Sequence, residues 1–79
     1  MMYIIYGKDN CIWCDRAKEL LDGVYIFKNV MMSEMHRDEF LEEFPGAKTV
    51  PKIIKISEGG NTIKRFNSYE ELENYFNFA

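Results

Sequence analysis

Apolar and polar residues change their period along the chain, and each change marks a predicted element. Met2 to Tyr6 is a short apolar and aromatic run, which predicts a strand that is buried on both faces. From Cys11 the apolar residues recur at helical spacing, and Gly23 is expected to end this first helix. Val24 to Val30 predicts a second strand. Because a helix connects the two strands, we expect them to be parallel.

The middle of the chain predicts a second helix. Ser33 opens it, and the pair Pro45 and Gly46 ends it. Four apolar residues are expected to face inward from this helix: Met35, Phe40, Leu41 and Phe44.

The last third of the chain predicts a hairpin and a final helix. Lys52 to Ile56 and Thr62 to Phe66 flank the turn sequence "SEGGN", which predicts two antiparallel strands. Ser68 to Glu71 is a capping box, and the helix that it opens is expected to bury Leu72, Tyr75 and Phe76. The predicted order is βαβαββα, an α/β fold in a single domain of residues 1–79.

The charge of the chain and its amino-terminal sequence limit the kinds of partner that the protein is expected to bind. The net charge of −3 argues against a general electrostatic attraction to nucleic acid or anionic lipid. The amino terminus "MMYIIYGKDN" has no basic region before its apolar run, which is too short for a signal peptide or a membrane span. We therefore expect a cytoplasmic monomer with no nucleic-acid or membrane partner.

The two cysteines of the chain, Cys11 and Cys14, lie where the first strand gives way to the first helix. Unpaired N–H groups and the positive end of the helix dipole favour an anion there, and a thiolate is such an anion. Cys11 is expected to be exposed at this position, with Cys14 one turn further on the same face and within disulfide reach. Cys11 can then attack a substrate disulfide, and Cys14 can resolve the mixed disulfide.

Other uses of two thiols stay open at this point. A structural zinc site needs about four ligands, and besides the cysteines the chain offers His36 and carboxylates. Two inert, buried thiols would give the same spacing. An iron–sulfur cluster is a further alternative, although two thiols alone fall short of the four ligands that a cluster needs. On the ligand count we expect no metal.

The motifs "KDNCIWCDRAK" and "KTVPK", set in βαβαββα order, resemble a glutaredoxin of the thioredoxin superfamily. Within that family, the chain is similar to the small dithiol glutaredoxins of phages and bacteria. The resemblance implies a thioredoxin-like fold with a four-stranded mixed sheet, ordered second, first, third and fourth strand, and helices on both faces. It implies a thiol-disulfide oxidoreductase that is reduced by glutathione and acts on protein disulfides or glutathione mixed disulfides. Ribonucleotide reductase is a plausible client on the same analogy.

The resemblance also assigns roles to residues. Cys11 would be the nucleophile and Cys14 the resolving thiol. Pro51 resembles the family's cis-proline, which frees the backbone of Val50 to pair with substrate as an added strand. Three further substrate-binding residues follow from the motifs. Lys8 and Lys48, the latter just before Thr49, resemble the basic residues that hold the glycine carboxylate of glutathione, and Trp13 forms an apolar wall for substrate.

The sequence departs from the family pattern before the last helix. Glutaredoxins carry a Gly-Gly pair there, whereas this chain reads "RFNS", Arg65 to Ser68. Asn67 and Ser68 can still present backbone N–H groups to the γ-glutamyl carboxylate at a helix start. The departure keeps a second interpretation open, a thioredoxin-like carrier that is reduced by a flavoprotein reductase.

Overall fold

The computed structural model of the protein describes residues 2–78, and its elements follow the predicted order. They are β1 (Met2–Gly7), α1 (Ile12–Leu21), β2 (Tyr25–Asn29), α2 (Glu34–Glu43), β3 (Lys52–Ile56), β4 (Thr62–Phe66) and α3 (Tyr69–Phe78). The βαβαββα prediction is confirmed. Among the described residues, no helix has the length and apolar character that crossing a membrane requires.

The four strands form one mixed sheet in the order β2, β1, β3, β4, as the family resemblance implied. β1 pairs with β2 in parallel, because α1 returns the chain to the same end of the sheet. β1 and β3 are antiparallel, as are β3 and β4. The sheet therefore places the carboxyl end of β1, which leads to the cysteines, beside the amino end of β3, which follows Pro51.

Helices cover both faces of the sheet, so the two central strands are buried on both sides. Tyr3 and Ile5 of β1 point to one face and pack with residues of α1 and α3. Ile4 and Tyr6 point to the other face, where they pack with Phe40 of α2 and its neighbours. Alternation along a strand sends successive side chains to opposite faces. This explains why a continuous apolar run, rather than an alternating one, encodes β1.

Several apolar residues are more exposed than the sequence pattern predicted. Phe40 and Phe44 of the second helical segment are buried as expected, whereas Met35 and Leu41 are exposed. One residue turns a helix by about 100°, so only positions three or four apart share a face with Phe40. Phe76 of α3 is also more exposed than predicted, with its ring 5.9 Å from that of Tyr3 at the edge of the core.

The helix ends follow ordinary capping chemistry. Ser33 accepts a hydrogen bond from the His36 amide at 3.2 Å and so caps α2. α1 ends one residue earlier than Gly23 suggested, because Asp22 itself adopts the left-handed cap conformation with φ 46°. Its amide bonds back to the last turn of α1.

Candidate active site

The two cysteines lie at the start of α1, where the chain leaves β1. Asn10 takes a positive φ of 54° and turns the chain, and Cys11 then adopts an extended conformation as the N-cap of α1. The carbonyl oxygen of Cys11 accepts the first helical hydrogen bond, from the amide of Asp15 at 3.0 Å. The sulfur of Cys11 therefore stands at the positive end of the helix dipole.

Cys11 and Cys14 form a disulfide with their Cα atoms 5.2 Å apart, which confirms the predicted reach. The sulfur of Cys11 also accepts a hydrogen bond from the amide of Cys14 at 3.3 Å. Cys11 is 8% exposed and Cys14 is fully buried. The expectation of an exposed Cys11 is wrong in degree, because the cap conformation folds its side chain back over the helix start. Cys11 is still the more accessible of the two residues.

Gly7, the last residue of β1, lets Cys14 approach the sheet closely. A Cβ atom at this position would lie 2.8 Å from the sulfur of Cys14 and 2.8 Å from the ring of Phe27. Real Cβ atoms do not tolerate such contacts, so the space beneath the disulfide depends on a glycine here. The sequence analysis missed this residue. A glycine directly after an apolar strand and just before the cysteines was the available signal.

Six of the predicted substrate-binding residues line one depression of about 330 Å³, which we call the cleft. They are Trp13, Thr49, Val50, Pro51, Asn67 and Ser68. The Val50–Pro51 peptide bond is cis, as the resemblance implied. The cleft lies beside the cysteine-bearing turn through Trp13, which is 51% exposed.

α3 supplies residues of the cleft that the sequence analysis did not single out: Tyr69, Glu70 and Glu73. The ring of Tyr69 lies 5.6 Å from that of Trp13, so these two residues form an aromatic wall. The Tyr69 hydroxyl donates a hydrogen bond to Glu73 at 3.1 Å. Burial, followed by this hydrogen bond, raises the pKa of the Tyr69 phenol above its ordinary value.

Lys8 and Lys48 lie outside the cleft, in a second depression of about 420 Å³ that we call the basic groove. Arg37 of α2 also lines this groove, and the sequence analysis missed it. Thr49 and Val50 border both depressions. The segment before Pro51 therefore separates a cleft with an aromatic wall from a groove with a basic rim.

Lys52, at the start of β3, ties two parts of the site together. Its ammonium group donates hydrogen bonds of 2.9 Å to the Thr49 hydroxyl and 2.9 Å to the carbonyl oxygen of Asn67. Ser68 follows as a helix cap and accepts a bond from the amide of Glu71 at 3.2 Å. Lys52 therefore holds the β4–α3 junction beside the segment that precedes the cis-proline, a contact that the sequence did not reveal.

Within residues 2–78, no group of three or more His, Cys, Asp and Glu residues is arranged to hold a metal ion. The chemistry that this geometry offers is that of a vicinal cysteine pair. Either the two sulfurs are joined, or Cys11 is a thiol beside a helix start with Cys14 one turn behind it.

The mixed sheet, the disulfide at the start of α1 and the cis-proline define the class, a thioredoxin-like α/β protein. The family model described as Glutaredoxin matches residues 3–58, and the chain belongs to this family. The matched range includes both cysteines and Lys48 to Pro51, but not Asn67 and Ser68. Neither the curated proteins nor the solved structures compared with the chain gave a match.

Proposed function

We propose that the protein is a glutathione-linked thiol-disulfide oxidoreductase that reduces protein disulfides or glutathione mixed disulfides. The observation that carries this proposal is the disulfide between Cys11 and Cys14 at the start of α1, with Cys11 the more accessible residue of the pair. Members of the glutaredoxin family generally use glutathione as reductant, which supports the choice of electron donor.

The reaction uses the two sulfurs in turn. In the reduced protein the helix dipole and the amide of Cys14 favour the thiolate of Cys11. This thiolate attacks one sulfur of a substrate disulfide, forms a mixed disulfide and expels the other sulfur as a thiolate, which takes up a proton. Cys14, as thiolate, then attacks the sulfur of Cys11 and releases the second substrate thiol. Two electrons have passed to the substrate, and the protein has become the disulfide form.

Two glutathione molecules restore the dithiol form. The first opens the Cys11–Cys14 disulfide to give a glutathione mixed disulfide on Cys11. The second attacks the sulfur of that bound glutathione, which yields oxidised glutathione and frees Cys11. The same second step also reduces glutathione mixed disulfides of other proteins after their glutathione has moved to Cys11.

The cleft and the basic groove provide groups that suit glutathione. Lys8 and Lys48 are proposed to bind its glycine carboxylate, since charge-assisted hydrogen bonds suit such a group. The backbone of Val50 is proposed to pair with the cysteinyl part. The amides of Asn67 and Ser68 at the start of α3 are proposed to bind the γ-glutamyl carboxylate.

The aromatic wall and the segment before Pro51 complete the proposed substrate site. Trp13 supplies apolar surface beside Cys11, and Thr49 with Pro51 fixes the opposite side of the cleft. We propose no metal in the reaction.

The wider setting of the protein is also a proposal. We propose that residues 1–79 act as one glutaredoxin-like domain, because β4 pairs with β3 and α3 packs against α1, which joins the part beyond the matched range to the rest. We propose a cytoplasmic location, since the cytosolic glutathione pool is reducing, and we propose a monomeric state. Ribonucleotide reductase is the client that family analogy suggests.

A thioredoxin-like carrier reduced by a flavoprotein reductase is the second candidate function. One observation favours it: the β4–α3 junction has Asn67 and Ser68 where glutaredoxins carry a Gly-Gly pair. Side chains at this junction limit how closely a glutathione backbone can approach.

The test gives the protein a disulfide substrate, hydroxyethyl disulfide, together with one of two electron sources, and follows NADPH consumption. One assay contains glutathione with glutathione reductase, and the other contains a thioredoxin reductase. We expect turnover with glutathione, and none from a Cys11→Ser variant in the same assay. Turnover with the flavoprotein alone would replace the proposal with the second candidate. Turnover with neither, together with bound metal or visible absorbance in the purified protein, would support a metal-binding or cluster-binding module instead.

A further inference from the structure

We propose that the basic groove docks a segment of the client protein in which an acidic residue and an apolar residue stand next to the reacting cysteine. The proposal rests on the proposed function, because the groove borders Thr49 and Val50, where the substrate disulfide is proposed to bind. It adds a substrate preference that glutathione itself does not need.

The charge of the groove differs from that of the whole molecule. The chain carries a net charge of −3, yet the groove is lined by the exposed cations Lys8, Arg37 and Lys48 and by no carboxylate of the described residues. The salt bridges within residues 2–78 use other cations. These three side chains are therefore available to a partner, and charge complementarity favours an acidic one.

The floor of the groove is apolar. Val30 and Phe40 are buried in it, and Leu41 and Met31 reach its rim as exposed side chains. Met31 is 71% exposed, and a methionine side chain adapts its shape to different partners. Covering this surface with an apolar side chain is favourable because it removes apolar area from water.

Glutathione leaves the floor of the groove uncovered. Its glycine end carries a carboxylate that can reach Lys8 or Lys48, but it has no side chain. The groove volume of about 420 Å³ is also more than one glycine fills. A protein segment supplies both an acidic group for the cations and an apolar side chain for the floor. The groove therefore distinguishes client proteins from one another, while glutathione uses only its rim.

The experiment compares three peptides of equal length, each with one cysteine in a disulfide with the same reporter thiol. The first has leucine and aspartate beside the cysteine, the second has leucine and asparagine, and the third has serine and aspartate. We expect the reduced protein to react with the first peptide with a second-order rate constant about fivefold above that for either control, since a few exposed charge pairs and one partly buried leucine contribute modestly. High salt should reduce the advantage of aspartate over asparagine.

Two variants test the location. Arg37→Gln should lower the preference for aspartate to about twofold or less, and Leu41→Ser should lower the preference for leucine in the same way. Lys64→Gln, which removes an exposed cation of β4 outside the groove, should leave both preferences unchanged. Each preference is a ratio within one variant, so a general loss of folding or thiol reactivity cancels.

The outcomes separate the docking proposal from the proposed function. Equal rates for the three peptides, with normal reduction of hydroxyethyl disulfide, would overturn docking and leave the oxidoreductase intact. A preference for aspartate that is the same with or without leucine would also overturn docking in favour of general electrostatic attraction. The same conclusion would follow if Lys64→Gln reduced the preference for aspartate as much as Arg37→Gln does. If neither the peptides nor hydroxyethyl disulfide are reduced, the proposed function fails, and docking fails with it.

Discussion

The surroundings of the two cysteine sulfurs differ more than their short separation suggests. Cys11 caps the helix and keeps a small exposed area, whereas Cys14 points into the core and is fully buried. An incoming disulfide can therefore reach only the first sulfur directly. In the proposed reaction, the second sulfur attacks from inside, once the mixed disulfide has formed on the first.

This asymmetry predicts different losses from replacing each cysteine. Cys11→Ser should abolish all disulfide reduction, because no accessible nucleophile remains. Cys14→Ser should keep the reduction of glutathione mixed disulfides, where glutathione resolves the intermediate, but lower protein-disulfide reduction by about tenfold or more, since the intramolecular step is lost. Cys14→Ala controls for a buried hydroxyl. Retained activity in Cys11→Ser would contradict the assignment of the two sulfurs.

The close contacts around Gly7 predict that a larger residue there destabilises the packing beside Cys14. Gly7→Ala would place a methyl group 2.8 Å from the sulfur of Cys14, so the helix start or Phe27 must shift. We expect a loss of about 1–3 kcal/mol in the free energy of unfolding of the oxidised protein, which is typical of overpacking. Urea unfolding measures it. Gly59→Ala, whose new Cβ would have its nearest contacts at 3.8 Å, is the matched control and should be close to neutral. Equal stability of the two variants would contradict the packing argument.

Between elements, the site depends on how the start of β3 is held beside the start of α3. Lys52 bonds both Thr49 and the carbonyl oxygen of Asn67, so it fixes the spacing between the two parts of the proposed glutathione site. On the proposed function, this spacing sets whether the amides at the start of α3 can reach glutathione in a chain that lacks the Gly-Gly pair.

Lys52→Met should therefore weaken glutathione binding more than it slows the chemistry. We expect the apparent glutathione KM to rise about three- to tenfold, because the lost bonds contribute about 0.6–1.4 kcal/mol when partly solvated. The rate at saturating glutathione should change little. A Lys52→Arg variant should keep part of the wild-type affinity for glutathione, because arginine can still donate hydrogen bonds. Lys64→Met serves as the control on the neighbouring strand. A fall in the saturated rate with an unchanged KM would contradict a positioning role for Lys52.

The elements themselves were largely predictable from local pattern. β3 and β4 have the bounds that their apolar runs and the intervening "SEGGN" turn predicted. The inward face of α2 was less predictable, because Met35 and Leu41 are apolar residues at exposed positions. Local pattern also finds the cysteines and the segment before Pro51. It does not find Arg37 or Lys52, since each reaches the site only after the sheet and α2 have packed.

At the scale of the whole molecule, a polar network connects β1 and β2 of the sheet to α2. The Tyr6 hydroxyl donates a hydrogen bond to Glu39 at 2.5 Å, and the ammonium group of Lys28 donates one to the same oxygen at 2.6 Å. The network joins β1, β2 and α2 on the face opposite α1 and α3. Burial, together with the bond to Glu39, raises the pKa of the Tyr6 phenol above its ordinary value.

Because of this network, the free energy of unfolding is expected to fall as the pH is lowered into the acidic range. Burial alone would raise the pKa of Glu39, but the bonds from Lys28 and Tyr6 outweigh it and hold this pKa below its ordinary value. A lowered pKa in the folded state stabilises the protein above the unfolded value of about 4.3. This contribution disappears as the pH falls through the folded value.

Glu39→Gln should therefore destabilise the protein near neutral pH and have less effect in acid. We expect a loss of about 1 kcal/mol or less near pH 7, because the ion pair is partly exposed and screened by solvent. Below about pH 4.3 the difference between wild type and variant should begin to shrink, and it should be smallest once the pH has fallen below the folded-state pKa of Glu39, where both side chains are uncharged. Urea unfolding across this pH range measures the difference. Tyr6→Phe is the companion variant, which keeps the Lys28–Glu39 pair and should retain most of the acid dependence. A difference between wild type and Glu39→Gln that stays constant from neutral to acidic pH would show that the carboxylate charge does not help to hold α2 on the sheet.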